Sequence, residues 1–271
     1  MKKTLVVMMI FFLSMCMGSA ALAGQLTIKG STTVLPISQE VGEAFMKKYP
    51  DINLSISGGG SGNGIKALID GTTDIAQASR FIKDSEVKMA VDNGHFPVPF
   101  AVALDSIVPV VHPESPVKEL SMEQLRGIYN GNITNWKEVG GPDRKIMVIS
   151  RDSSSGTYGV WVDNVLKGDR VTPRAQLLAS NGAIVQAIQD NPHAIGYIGI
   201  GYMTDELKSV IVDGVEPTPE TTASGEFPVS RYLWVFTDGW PTGDALMYIN
   251  FLQHPDKGQP LVEKTGYVPL Y

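Results

Sequence analysis

From Gly24 onward, short β-branched runs alternate with stretches of helical spacing. Leu26-Thr27-Ile28 and residues 52–56 read as strands, and between them the apolar positions of 35–49 fall at helical intervals until Pro50 stops the pattern. Residues 65–69 open a second helix and Asp74-Ile75-Ala76 a third strand, which completes a βαβαβ unit. Residues 100–111 form a long apolar run broken only by Asp105, after which Ser121 and Glu123 give helix-start signals. A second series follows, with strands at 146–149 and 195–198 and helices at 156–166 and 184–189. Residues 217–227 read as a polar loop, 232–236 as a strand and 245–252 as the last helix, ahead of Gly266-Tyr267-Val268-Pro269. Such alternation predicts parallel sheets with crossover helices, hence an α/β fold. Two lobes are expected, 24–104 with 230–271 and 105–229, joined by chain crossings near Ala103 and Ser230.

The amino terminus follows a different rule. Lys2 and Lys3 precede an apolar run at 5–13, and Ala21-Leu22-Ala23 supplies a small-residue cleavage site. Ser14, Gly18 and Ser19 interrupt that run well short of the about 20 apolar residues that a membrane span needs. Residues 1–23 are therefore expected to be a cleaved signal peptide, and the protein periplasmic or extracellular. Leu13-Ser14-Met15 before Cys16 approximates a lipidation signal, but Met15 stands where a small residue is expected, so cleavage after Ala23 is preferred. The remaining chain contains no Cys, so it carries no disulfide and no thiolate metal site.

Composition narrows the partners. Apolar side chains make up 43%, enough for a sizeable core, and 28 acidic against 22 basic residues give a formal charge of −6. An acidic chain lacks the basic footprint of nucleic-acid binding, and losing Lys2 and Lys3 makes it more acidic still.

Three loops share one grammar: a strand ends in Ser, Thr, Gly or Arg, and a helix begins. They are Gly30-Ser31-Thr32-Thr33, the Gly-rich stretch 57–64, and Arg151-Asp152-Ser153-Ser154-Ser155-Gly156-Thr157 after Ser150. Each presents free backbone N–H groups and the positive end of a helix dipole at a sheet edge, a place that holds an anion. Ser, Thr and Gly also cap ordinary helices, but three such loops spread over both lobes point to a small tetrahedral oxyanion.

Reaction chemistry finds less support. The Gly-rich stretch continues as Ile65-Lys66, not as the Lys-Ser/Thr of a nucleotide-triphosphate loop. Residues 62–67 match a loose dinucleotide pattern, a weak signal when it stands alone. Ser61 lacks the nucleophile elbow, and His95, His112, His193 and His254 show no metal-ligand spacing. No general acid–base constellation stands out, so binding without catalysis, cofactor or metal is expected.

At these loops the chain resembles the extracytoplasmic phosphate-binding proteins of bacterial phosphate ABC transporters, in the type II periplasmic-binding-protein family. The likeness runs through the three loops, Asp74-Ile75-Ala76-Gln77-Ala78-Ser79-Arg80, Ile128-Tyr129-Asn130-Gly131 with Asn135-Trp136, and Gly266-Tyr267-Val268-Pro269; the most specific element is 151–157. It implies a two-lobed, hinged protein that closes on orthophosphate and delivers it to a membrane permease. A monomer is expected. Carried over by motif, the ligands are Thr32 and Thr33, with Ser31 if that short alignment slips by one, then Ser61, Arg151, Ser155, Gly156 and Thr157. Arg80 is the departure, because some members place an Asp there. A carboxylate can accept the proton of hydrogen phosphate and so exclude sulfate, whereas Arg80 only donates and is expected to add charge-assisted bonds to the anion. Asp105 and Asp152 are then the candidate proton acceptors. Receptors for sulfate, molybdate or tungstate, and a secreted phosphatase, are the competing readings.

Overall fold

The computed structural model describes residues 25–271. The expected signal peptide, its expected cleavage site and Cys16 lie outside the described residues. Strand β1 (Gln25–Gly30) buries Leu26 and Ile28 and pairs in parallel with β2 (Asn53–Ser57) on one side and β3 (Ile75–Ala78) on the other. Between them run α1 (Leu35–Lys48) and α2 (Ser61–Ile69). Helix α1 carries Pro36 in its first turn, where the missing N–H costs no bond, and Lys47 and Lys48 at its negative end. Its inward stripe of Ile37, Val41 and Phe45 is buried at four-residue intervals.

Helix α3 (Asp84–Asp92) leads into β4 (Pro97–Val111), the long apolar run of the sequence, which continues through β5 (Glu119–Leu120) to α4 (Met122–Asn130). The second series comprises β6 (Met147–Arg151), α5 (Gly156–Asn164), β7 (Gln176–Leu178), α6 (Asn181–Gln189) and β8 (Ala194–Gly199), followed by the short β9 (Lys208–Ser209) and β10 (Ile211–Val212). After these come α7 (Pro219–Ser224), β11 (Ser230–Asp238), α8 (Gly243–Gln253) and α9 (Gly258–Lys264).

Helix α7 departs from the expected polar loop at 217–227. Thr218 accepts the N–H of Thr221 at 3.2 Å, Pro219 fills the first turn, and Gly225 ends the helix in the left-handed region at φ 73°. Its buried side is polar too: Thr222 exchanges a 2.7 Å hydrogen bond with Ser106, so hydrophobic spacing carries no signal there.

The main sheet runs β2-β1-β3-β11-β4-β8-β6-β7, with β9 also on β4. β4 pairs with β11 from Pro97 to Ser106 and with β8 from Ile107 to Val111, so one strand serves both halves of the sheet. The carboxy-terminal tail returns to the first half, where Leu104 and Val268 exchange backbone hydrogen bonds. Phe45 meets Tyr248 and Phe251 edge-on, which packs α1 against α8. In the second half Trp161 stacks on Tyr197 with centroids 4.3 Å apart, and Tyr129 meets Trp161 edge-on at 4.9 Å. The result is a two-lobed α/β architecture whose parallel strands aim their carboxyl ends at the junction.

Candidate functional site

The three loops meet at that junction. After β1, Ser31 turns its hydroxyl back on the chain and accepts the N–H groups of Thr33 (3.1 Å) and Val34 (3.4 Å), so it shapes the loop. Thr32 and Thr33 are left facing across the junction, both buried. After β2, α2 begins at Ser61, whose Oγ accepts the Ser79 N–H at 3.0 Å and lies 3.3 Å from the Ser79 hydroxyl. After β6, Ser155 caps α5 by accepting the Tyr158 N–H at 3.2 Å. That cap brings Gly156 and Thr157 into the first turn of α5.

Hydroxyls from opposite sides are within bonding reach. Thr33 Oγ1 and Thr157 Oγ1 lie 3.0 Å apart, and Ser79 Oγ lies 3.5 Å from Thr157 Oγ1. A Cβ on Gly156 would collide with Ser61 Oγ and stand 2.8 Å from Ser79 Oγ, so only glycine permits this approach. The first turns of α2 and α5 therefore face each other, with their unpaired N–H groups turned to one small region.

Arg151 supplies the charge. It is 1% exposed; Nε donates to the Leu178 carbonyl (3.1 Å), and Nη2 donates to the Ala179 carbonyl (2.9 Å) and to Thr32 Oγ1 (3.2 Å). Nη1 has no partner, and among the described residues no carboxylate bonds this guanidinium. Burial lowers its pKa from the ordinary arginine value. A buried cation with an idle donor is costly to hold unless an anion meets it.

Of the residues singled out from the sequence, Thr32, Thr33, Ser61, Arg151, Ser155, Gly156 and Thr157 are brought together here. Arg80 does not join them. Its guanidinium forms a bidentate pair with Glu86 (2.8 and 2.7 Å) and also donates to the Phe81 carbonyl. Neither candidate acceptor meets the hydroxyls. Asp105 accepts from Ile200 N–H and from Nε and Nη2 of Arg231, while Asp152 accepts from the backbone and hydroxyl of Ser154. Burial raises the Asp105 pKa, and the Arg231 charge opposes that rise.

Three residues of the site carry no clear mark in the sequence. Ser79 lies inside the 74–80 motif but not among the ligands that the resemblance implies. Asn181 opens α6 and donates to Thr32 Oγ1 (3.2 Å) and Thr33 Oγ1 (3.1 Å); the Ser180 cap before it is the one available signal. Arg231, beside Asp105 across the β4–β11 pairing, donates to the Ser79 carbonyl (2.7 Å) and to Thr157 Oγ1 (3.0 Å). A lone charge before an apolar strand gives no hint of it.

Comparison with known proteins agrees with this geometry. Residues 17–256 match the model of the PBP superfamily domain. The phosphate-binding protein PstS of Bacillus subtilis is 33% identical over 257 residues, 93% of this chain and 83% of its own. A candidate phosphate ABC transporter substrate-binding protein from Clostridium perfringens, solved with bound phosphate, superposes with a TM-score of 0.86 at 36% identity, covering 92% of this chain and 100% of that one. An ABC-type phosphate transport receptor from Vibrio cholerae gives 0.73 at 32% identity, covering 90% and 99%. With loops, lobes and sequence in agreement over nearly their whole length, the chain belongs to the PBP superfamily and, within it, to the family of the phosphate-binding proteins PstS.

Proposed function

We propose that this protein is the substrate-binding component of a phosphate ABC transporter: it captures inorganic phosphate between its lobes and presents it to a membrane permease. One observation carries the reading. Arg151 is buried and, among the described residues, its Nη1 is free and it has no acidic partner; it sits among hydroxyls from both lobes and the first turns of two helices. Oxyanion oxygens would take up the idle guanidinium donor, the Thr32, Thr33, Ser61, Ser155 and Thr157 hydroxyls, and the N–H groups around Gly156. Ser31 shapes its loop, and Arg80 supports α3 through Glu86. Residues 24–104 with 230–271 and residues 105–229 act as the two moving bodies, hinged where β4 and β11 cross, and bound phosphate favours the closed form through donors on both. The relatives named for phosphate binding support transport over catalysis. The expected amino-terminal signal fits export to the periplasm or cell exterior, and among the described residues no helix is long and apolar enough to cross a membrane.

Calorimetric titration of the signal-free protein, refolded to strip bound ligand, tests this against phosphate, sulfate, molybdate and tungstate. Tight one-to-one phosphate binding is expected. Tighter binding of another of these oxyanions overturns the phosphate assignment, and turnover of a chromogenic phosphate ester by purified, metal-supplied protein overturns the transport reading.

A further inference from the structure

We propose that Asn181 and Arg231 are positioning residues: from behind the site they fill acceptor lone pairs on Thr32, Thr33 and Thr157, which leaves those hydroxyl protons to the bound anion. The inference rests on the phosphate reading above.

The direction of each bond follows from the chemistry of the groups. Asn181 Oδ1 accepts the N–H of Gly199 at 3.2 Å, and a backbone N–H can only donate. The Asn181 amide is thereby oriented with Nδ2 toward the threonines, one N–H for each. Thr32 Oγ1 accepts a second bond from Arg151, which occupies both its lone pairs. A guanidinium has no acceptor, so Thr157 Oγ1 must accept from Arg231 Nη2. Thr32 then has its single proton free to turn toward the junction, while Thr33 and Thr157, 3.0 Å apart, share one hydrogen bond whose proton an anion can draw to itself, because each hydroxyl already accepts from a positioning group.

Both positioning groups are themselves fixed. Asn181 is fully buried at the start of α6, and Arg231 is held by Asp105 on the neighbouring strand and by the Ser79 carbonyl. Hydroxyls preset as donors favour phosphate forms with fewer protons, so affinity should rise as phosphate loses its second proton. The charged and titratable groups around the site are Arg151, Arg231, Asp105, Asp152, Tyr158, Tyr197, Tyr202 and Tyr267. Burial pushes Tyr197 and Tyr202 up to about 12 and Tyr267 well above its ordinary value, so these three stay neutral through that range.

The test is phosphate calorimetry from about pH 6 to 8.5, spanning the ordinary histidine range and beyond, on wild type, Asn181→Ala, and the double variant Arg231→Gln with Asp105→Asn. The double change replaces a buried ion pair with a neutral one and leaves no uncompensated charge; it also removes Asp105 as a source of pH dependence. Each variant is expected to bind phosphate about tenfold more weakly at the upper pH, the loss of one or two hydrogen bonds. Each should also show a flatter rise with pH, because a freed hydroxyl lone pair can accept the phosphate proton. Melting temperatures of the empty variants report on folding. A uniform loss with the wild-type slope, or unchanged affinity, in variants that still melt cooperatively overturns the positioning roles. If wild type binds no phosphate, the phosphate reading falls and these roles fall with it; wild-type binding with an unaltered slope in both variants removes the positioning roles alone.

Discussion

Gly62 donates its backbone N–H to the carbonyl of Ser154 at 2.8 Å, joining the Gly-rich loop after β2 to the loop after β6 without any side chain. The lobes thus close backbone to backbone at the edge of the site. Gly60 in the same loop lies at φ 101°, and a Cβ there would collide with the Ser154 side chain. A Cβ on Gly156, across from Ser61 and Ser79, would likewise collide with the Ser61 hydroxyl.

Gly156→Ala should therefore separate folding from closure. Alanine suits the first turn of a helix, so the melting temperature of the empty protein should stay within about 2 °C. The new Cβ occupies the place of Ser61 Oγ in the closed form, and phosphate affinity should fall at least about 100-fold, roughly 2.7 kcal/mol. Small-angle scattering with phosphate present checks the cause, because the variant should keep the larger radius of gyration of an open molecule. Tight binding in a compact variant would show that the close approach of Ser61 to Gly156 is not required.

Arg151→Ala makes the opposite use of a buried charge. The side chain costs desolvation, and within its own lobe its acceptors are only the carbonyls of Leu178 and Ala179. Its removal should leave the empty protein about as stable as wild type, within about 1 kcal/mol by urea unfolding, while phosphate affinity falls on the order of 100-fold or more through lost charge-assisted bonds. Unchanged affinity would remove the third loop from the site.

Trp161 reports on the second lobe alone. It is fully buried, stacked on Tyr197 and edge-on to Tyr129, with its indole N–H unpartnered. Trp161→Ala should cost about 3–5 kcal/mol of stability. Chemical unfolding followed by circular dichroism gives the value, and a loss below about 1 kcal/mol would mean that the aromatic cluster does not hold this lobe.

Arg80 and Glu86 give a pH-dependent control. Burial pushes the Glu86 carboxyl up, but the Arg80 bonds and the Lys83 backbone outweigh it and leave the pKa below its ordinary value. A depressed folded pKa contributes stability that is present above the unfolded carboxyl range and lost as pH falls through the folded value. Glu86→Gln should hence cost roughly 1–2 kcal/mol at pH 7, and this difference should shrink as the pH drops below about 4. Arg80→Gln should leave phosphate affinity within about threefold, and a far larger loss would return Arg80 to the ligand set.

Legibility follows sequence distance. The βαβαβ start and the three loops are readable because apolar spacing and Ser, Thr and Gly at strand ends are local signals. Residues 217–227 mislead because α7 buries Thr222 where an apolar residue would have shown the period. The Arg80–Glu86 pair spans only six residues, and Glu86 in the capping box of α3 is a usable clue. Asn181 meets Thr32 from 149 residues away, and Arg231 meets Ser79 from 152, so their roles depend on a sheet order that no local pattern encodes.

That sheet order also sets a timetable. β11 lies between β3 and β4, so as the chain emerges from the ribosome those two strands have no partner to join them until Ser230–Asp238 appears. The lobe that holds the amino-terminal strand cannot finish assembling before nearly the whole polypeptide has been made. Late completion of this kind is what a chain requires if it is to be threaded across a membrane before it folds.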